Sequence, residues 1–307
     1  MLGYALRRLL GLVPTLFLIV AAAFFLMRAA PGGPFDAEQT LPPEIEANLQ
    51  AAYGLDQPVH VQFGQYLAGL VRGDLGPSFR MKDFTVAELI ARGLPVTLTI
   101  GVAALVLALA MGVPLGMVAA LRQNGWADHA VMGVALAGIA VPNFVVAPVL
   151  ALVFGVHLGW LPVGGWERGS LAHAVLPVVT LALPFVAYVA RLTRGSLLEV
   201  LQSPFIRTAR AKGLPPGVIL RRHALRPALM PVVSFLGPAA AALLTGSLVV
   251  EQVYGLPGVG RYFVQGAINR DYTLVMGMVV FYAALILLLN LAVDLLYGWL
   301  DPRIRHD

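Results

Sequence analysis

Long uncharged runs alternate with short polar segments along this chain. The runs cover residues 9–27, 93–121, 130–166, 169–190, 227–250 and 272–293. Each is long enough for a helix of about 20 residues to cross a hydrocarbon core of about 30 Å. A helix also satisfies its own backbone groups where no water is available. The pattern therefore predicts an all-α integral membrane protein with six transmembrane helices.

Composition supports this fold class. The chain is 59% hydrophobic and 12% charged, whereas a soluble domain is about 25% charged. Its mean hydropathy is +0.80, which excludes an ordinary soluble fold. Arg7 and Arg8 precede the first run, as in a secretory signal peptide. The run is nevertheless longer than the roughly 7–15 residues of a signal core, and Arg28 follows it, so we predict an uncleaved anchor.

The basic residues indicate the orientation of the spans. With six spans both ends of the chain lie on one side, and the segments on that side hold thirteen of the 21 lysine and arginine residues: Arg7, Arg8, Arg122, Arg191, Arg194, Arg207, Arg210, Lys212, Arg221, Arg222, Arg226, Arg303 and Arg305. Cytoplasmic loops are enriched in Lys and Arg. We therefore expect both termini in the cytoplasm. The net charge of +5 then reflects topology, and no aromatic-basic interleaving argues for nucleic-acid binding.

The predicted boundaries follow from the runs and this orientation. A single domain, 1–307, contains spans at 9–29, 94–121, 130–156, 172–191, 229–250 and 273–297, an extracytoplasmic segment at 30–92, a cytoplasmic loop at 192–228 and an extracytoplasmic loop at 251–272. In the first outer segment Phe63, Leu67, Leu70 and Val71 recur at helical spacing after Pro58. They predict a short amphipathic helix. Such a helix would rest on the membrane or on the outer ends of the spans, or would dock an external partner.

Residue patterns for independent catalysis or energy coupling are missing from the sequence. A nucleotide loop requires Gly-Lys-Ser/Thr, but Lys82 and Lys212 follow Met81 and Ala211. The six histidines are scattered, and there is no cysteine, so we expect no metal site and no cofactor. Asp294 is the clearest buried acid of the spans, with a transport role or a local basic partner as open alternatives. These absences weaken the case for an ion-coupled carrier and for an intramembrane enzyme.

The largest cytoplasmic excursion, 191–226, has eight basic residues and the single acid Glu199. Within it Ser203 predicts a helix N-cap, Pro204 fits the first helical position, and Gly213 fits a left-handed stop. So short a helix is not stable alone in water. Phe205, Ile206 and Ala209 form a small apolar face. We expect this face to dock into a soluble partner, the alternative being a basic loop that fixes topology and contacts anionic lipid.

The stretch "RTARAKGLPPGVILRRHALRPALMPVV" resembles the cytoplasmic EAA-type loop of ABC importer permeases, in the form of the dipeptide/oligopeptide/nickel branch. The resemblance extends over nearly the whole chain through "LRRLLGLVPTLFLIV", "YGLDQPVHVQFGQYLAGLVRGDLG", "LTGSLVVEQVYGLPGVGRYFVQGAINRDY" and "NLAVDLLYGWLDPRIR". There are two departures. Arg207 stands at the position of the general signature's glutamate, and Arg226 at that of its later proline. The first argues against a glutamate-based contact with the ATPase.

This resemblance implies a type I ABC importer permease that forms half of the translocation pathway. It implies a second, similar permease, two ATP-binding subunits that hold the ATP, an external substrate-binding protein and the surrounding membrane lipid as partners. It further implies that the short loop helix is a coupling helix contacting the ATPase. The residues implicated in coupling are Ser203, Pro204, Phe205, Ile206, Arg207, Thr208, Ala209, Arg210, Ala211, Lys212, Gly213 and Leu214. Di- or oligopeptides are the expected substrates, with nickel chelates, glutathione and sugar oligomers as alternatives.

Overall fold

The computed structural model describes residues 2–29, 54–81, 83–167 and 170–300. These residues form helices joined by turns, with one isolated bridge between Pro77 and Thr85. The helices are α1 (Leu2–Ala29), α2 (Val59–Val71), α3 (Val86–Leu121), α4 (Trp126–Ala140), α5 (Asn143–Leu150), α6 (Leu171–Leu201), α7 (Pro204–Ala211), α8 (Pro216–Val218), α9 (Leu225–Val253), α10 (Val259–Ile268) and α11 (Tyr272–Leu300). The all-α prediction is confirmed over this part of the chain.

Five of the described helices are long and apolar enough to cross a membrane, and the candidate spans number six if one bent pair is counted as a single span. The bent pair consists of α4 and α5. Helix α5 continues as a π-helical segment over Ala151–His157. The two halves meet at 102°. The sequence predicted a span over 130–156 and gave no indication of this break. Its cause is Pro142, which lacks an N–H and holds Val141 in extended backbone (φ −88°, ψ 119°).

The charged segment after the fourth predicted span is helical over most of its length. Helix α6 continues through Arg191, Arg194 and Glu199 as far as Leu201, ten residues past the predicted end at 191. Helix α7 follows after two residues, and α8 leads through a π-helical turn, Ile219–Ala224, into α9. The long basic connection is therefore a succession of helices that extends from the ends of two spans.

The chain divides into two compact units. One contains Thr97–Leu256 and the residues from Leu288 onward. In it α6 packs against both α9 and α4. It also packs closely on α3, because a Cβ at Gly112 would lie 2.8 Å from the Val186 carbonyl oxygen and one at Gly116 would collide with the Ala190 carbonyl oxygen. The small-residue spacing Gly112-x-x-x-Gly116 thus serves a contact within the chain, as is typical of membrane helix pairs.

Tyr254 connects three parts of this first unit. Its hydroxyl donates to the Ala147 carbonyl oxygen at 3.0 Å and lies 3.0 Å from the Thr180 hydroxyl. Its own carbonyl oxygen accepts from the Gly165 amide at 2.7 Å. A buried tyrosine normally needs such partners. The side chain therefore ties α5 and α6 to the turn that ends α9.

The second unit contains Leu2–Val96 and Pro257–Leu287. In it α2 lies against α1 and the first turns of α11, where Phe63, Tyr66, Leu67 and Leu70 pack on a core that includes Phe24 and Met276. Contact with the spans, one of the settings expected for this amphipathic helix, is observed. Val71, expected on the apolar face, is 89% exposed, because the helix ends there and Arg72 already begins the turn.

Asp271 fixes the start of α11 in the second unit. Its carboxylate accepts from the Leu274 amide at 3.1 Å and from the Arg80 amide at 3.2 Å, and also from the Ser78 hydroxyl. A carboxylate at a helix N-terminus satisfies donors that have no intrahelical partner. Asp271 therefore caps the last span and holds the segment that precedes α3 against it.

Candidate functional site

Helix α7 is the predicted coupling helix, and its first turn differs from the prediction in one respect. Ser203 occupies the N-cap with extended backbone (φ −65°, ψ 153°), and Pro204 takes the first helical position. The Ser203 hydroxyl, however, makes no capping hydrogen bond to the helix. It donates to the Val200 carbonyl oxygen at 2.6 Å. The serine thus closes the end of α6 instead of the start of α7.

The end of α7 is the turn that the sequence predicted. Gly213 has a φ of +76°, a conformation that costs non-glycine residues free energy. Its amide donates to the Arg210 carbonyl oxygen at 2.9 Å, and the Leu214 amide donates to that of Ala209 at 3.3 Å. A Cβ at Gly213 would meet no atom within 4 Å. Backbone conformation alone therefore requires glycine here.

The apolar side of α7 is occupied by the chain itself. Ile206 is fully buried and Ala209 nearly so, in a cluster with Leu197, Ile219 and Ala228. The expectation that both residues face a soluble partner is wrong for their side chains. An amphipathic stripe shows that a face is buried, but it does not show against which surface. The contacts with α6 and α9 explain how an eight-residue helix is held in place.

The opposite side of α7 is exposed and combines one large apolar ring with cations. Phe205 is 50% exposed. The exposed side chains around it are Pro204, Arg207, Thr208, Arg210, Ala211 and Lys212. An exposed aromatic side chain beside arginines is a composition enriched at protein interfaces. Of the predicted contact residues, this set is the part available to another protein.

A buried ion pair fixes α4 to α6 near the same end of the spans. Arg194 donates from Nε to Oδ1 of Asp128 at 2.5 Å and from Nη2 to Oδ2 at 2.7 Å. Oδ2 also accepts from the Asn124 amide at 2.9 Å. Asp128 is 1% exposed, so its charge is compensated by a two-pronged arginine contact. The sequence analysis counted Arg194 among the cytoplasmic charges and missed its partner; the available signal was an acid close to the start of a predicted span, among basic segments.

A second buried acid was also missed. Glu251 lies in the last turn of α9 and is fully buried. Its Oε1 accepts from the Thr97 hydroxyl at 2.7 Å. Because its charge ends an uncharged run, the sequence assigned it to the outer loop 251–272. The side chain of Asp294, the acid that the sequence did single out, lies outside the described residues.

The described residues offer no clustered metal ligands. Among them no three His, Asp or Glu side chains come together as a metal site would require. The buried polar groups described above are engaged in helix contacts. These groups hold helices together, and the exposed side of α7 is the surface that another protein can contact.

Comparison with solved structures identifies the fold. The chain resembles a chain in inward-facing crystal forms of the methionine ABC transporter MetNI. For the CY5 native form the TM-score is 0.56 at 21% sequence identity, over 70% of this chain and 97% of that one. For the selenomethionine-soaked form the TM-score is 0.58. At this identity the likeness establishes the fold alone.

Sequence comparison then establishes the family. Residues 112–306 match the family described as "Binding-protein-dependent transport system inner membrane component", and residues 1–101 match the N-terminal family of such membrane components. The chain belongs to this family. It is 52% identical over 306 residues to the oligopeptide transport system permease protein OppB of Escherichia coli strain K12, with all of both chains covered. It is 43% identical over 305 residues to the dipeptide transport system permease protein DppB of Bacillus subtilis strain 168, covering 99% of this chain and 98% of that one.

Family membership confirms several of the predictions made from the sequence. The chain is a multi-pass inner-membrane permease subunit of a binding-protein-dependent ABC transporter. It is not itself the ATPase, and no cofactor is expected in it. An ATPase and a substrate-binding protein are therefore implied as partners.

Proposed function

We propose that this chain forms half of the membrane pathway of an ATP-driven importer of di- and oligopeptides. The observation that carries the proposal is the 52% identity over the full length to a permease named for oligopeptide transport. The other half comes from a second, homologous permease, and two ATP-binding subunits drive the pair. A binding protein delivers the peptide from outside.

We further propose that α7 transmits the movement of the ATPase to the spans. Its exposed side, with Phe205, Arg207 and Lys212, is free to seat on a protein surface. Its buried side contacts Leu197 at the end of α6 and Ala228 at the start of α9. Because interiors are close-packed, a displacement of α7 must shift those helix ends. ATP binding would thus bias the spans between two arrangements.

In the proposed orientation both termini and α7 lie in the cytoplasm. The support is the arginine and lysine excess in the segments on that side. It gives α7 access to a cytoplasmic ATPase. The segment 30–92 then lies outside, where a binding protein can reach it.

The coupling proposal is tested with Phe205→Ala and Arg207→Gln in the complete transporter. Truncating a central aromatic side chain of an interface commonly costs at least ~2 kcal/mol, more than tenfold in binding. We expect peptide uptake to fall by about that factor while the subunit still inserts. ATP hydrolysis should lose its stimulation by peptide-loaded binding protein. Phe144→Ala is the matched control, since Phe144 is 59% exposed and lies on α5.

Normal uptake in both α7 variants would overturn the coupling proposal. Substrate class is tested separately in the unmodified transporter. Labelled tripeptide uptake should be suppressed by excess unlabelled peptide and unaffected by glutathione, a nickel chelate or a sugar oligomer. Suppression by one of those three instead of by peptide would assign the other substrate class.

A further inference from the structure

An apolar groove of about 420 Å³ runs between α3, α4 and α6, and no residue of the coupling helix α7 lines it. Its lining includes Leu115 from α3, Ala130, Val134 and Ala137 from α4, and Leu183 and Ala187 from α6. All of these side chains are aliphatic. A groove of this size matches the clefts that hold small molecules, about 300–1,000 Å³, but it offers no polar group to a peptide.

The groove is open to the surroundings of the chain. Val134 is 75% exposed, and Ala130 and Ala137, on the same face of α4, are exposed as well. The small side chains leave space that the neighbouring helices do not fill. Since these helices are candidate membrane spans and the lining is apolar, the groove suits an apolar occupant.

One end of the groove carries an exposed cation and an exposed indole. Arg191 is exposed and lies one turn after Ala187 on α6, on the face that also carries Arg194. Trp126 is 79% exposed and lies one turn before Ala130 on α4. Tryptophan is enriched at the membrane–water boundary. Arg194 itself is held by Asp128, so Arg191 is the arginine of this face that can receive a ligand charge.

From this arrangement we propose that the groove is a binding site for an anionic phospholipid. One acyl chain fills the groove, and the phosphate of the headgroup contacts Arg191 beside Trp126. Basic groups between transmembrane helices at the membrane surface are suited to acidic headgroups. The lipid would wedge between α4 and α6, the two helices joined by the Asp128–Arg194 pair. On the orientation proposed above, the lipid belongs to the inner leaflet; the binding itself does not depend on that orientation.

The test is native mass spectrometry of the purified complete transporter, titrated with phosphatidylglycerol and, separately, with phosphatidylcholine. The unmodified complex should retain phosphatidylglycerol more strongly. Arg191→Gln should weaken retention of phosphatidylglycerol by about fivefold and leave phosphatidylcholine unchanged, as expected for loss of one basic contact. Ala137→Leu, which fills the groove, should lower retention of both lipids.

Two matched controls accompany these variants. Arg72→Gln removes an exposed arginine from the turn after α2, and Ala110→Leu enlarges an exposed alanine of α3 outside the groove lining. Neither should change lipid retention. Equal retention of the two lipids by the unmodified complex, or unchanged retention in both groove variants, would overturn the proposal. A loss of subunit assembly in Ala137→Leu with lipid retention intact would assign the groove to the second permease instead, and would also overturn it.

Discussion

The pair of Asp128 and Arg194 shows what a single contact does in this fold. Two charge-assisted hydrogen bonds join the first turn of α4 to α6, and a third comes from the Asn124 amide in the turn before α4. Without Arg194, the buried carboxylate of Asp128 would still carry the free-energy cost of its removal from water, but no opposite charge would offset that cost. The contact thus fixes the position of α4, the first half of the bent span, against α6.

We predict that Asp128→Asn and Arg194→Gln each lower stability by about 1.5–3 kcal/mol, the range for a hydrogen bond to a charged group. The double variant should lose less stability than the sum of the two single losses, because once one residue of the pair is replaced, the other no longer makes the contact. Thermal unfolding of the purified transporter measures all three. Arg222→Gln, at an exposed arginine, serves as the control and should stay within about 0.5 kcal/mol. Additive losses would show that the two residues act independently.

Tyr66 on α2 gives a second prediction for a single side chain. Burial raises the pKa of its phenol to about 12, and its hydroxyl has no hydrogen-bond partner among the described residues. The neutral form is therefore favoured in the folded state. Its contribution to stability is complete below the unfolded pKa of about 10 and is lost as pH rises toward 12.

Tyr66→Phe should accordingly be neutral or stabilising at pH 8, by up to about 1 kcal/mol, because it removes an unsatisfied buried group. Above pH 10 its melting temperature should fall less steeply than that of the unmodified protein. Tyr188→Phe, at a tyrosine that is 42% exposed, should not show this gain. A clear destabilisation of Tyr66→Phe at pH 8 would indicate that the hydroxyl is satisfied after all.

At the scale of helices, the crossing of α3 and α6 depends on two positions without a side chain. Gly112 and Gly116 lie against backbone carbonyl oxygens of α6, namely those of Val186 and Ala190. Backbone atoms cannot move aside as a flexible side chain can. The two helices can therefore approach this closely only because neither position carries a Cβ atom.

We predict that Gly116→Ala lowers stability by about 1–3 kcal/mol, the usual cost of overpacking. Gly133→Ala is the matched control, since its Cβ would meet nothing within 4 Å and alanine is the better helix former. Measured in the same detergent, the melting temperature should fall for Gly116→Ala and should be unchanged or higher for Gly133→Ala, relative to the unmodified protein. Equal stability of Gly116→Ala and Gly133→Ala would contradict the close approach.

The same scale shows which features a sequence can predict. Uncharged runs located the spans, because about 20 residues are needed to cross the hydrocarbon core. The break at Pro142 was hidden, since the run around it is apolar on both sides. The stripe containing Ile206 was recognised, yet its burial against α6 and α9 depends on tertiary contacts. Glu251 was placed in a loop because its charge ends a run, although Thr97 satisfies it inside the helix bundle.

For the whole molecule, the orientation in the membrane is the first property to test. The chain has no cysteine, so single cysteines report their location without background. Gln65 on α2 and Gln202 between α6 and α7 are both exposed. In right-side-out vesicles an impermeant maleimide should label Gln65→Cys and should not label Gln202→Cys. Both should react after permeabilisation, and the reverse pattern in intact vesicles would overturn the proposed topology.

The second property of the whole molecule is its dependence on other subunits. The sequence has no Gly-Lys-Ser/Thr loop, so it lacks the phosphate cradle that such a loop supplies. Gly112 and Gly116 are used within the chain, and the exposed side of α7 has no partner among the described residues of this subunit. The proposed function therefore assigns the energy source to a separate ATPase and the rest of the pathway to a second permease.

We therefore predict that proteoliposomes containing this chain alone, with binding protein, peptide and ATP, show uptake no higher than empty liposomes. Adding the second permease without the ATPase should leave uptake at that level, because no ATP-driven change would reach the spans. The complete set should import peptide, and a non-hydrolysable ATP analogue in place of ATP should abolish sustained import. Peptide import by a purified homomeric assembly of this chain, without the other components, would refute the half-pathway proposal and make this subunit a transporter in its own right.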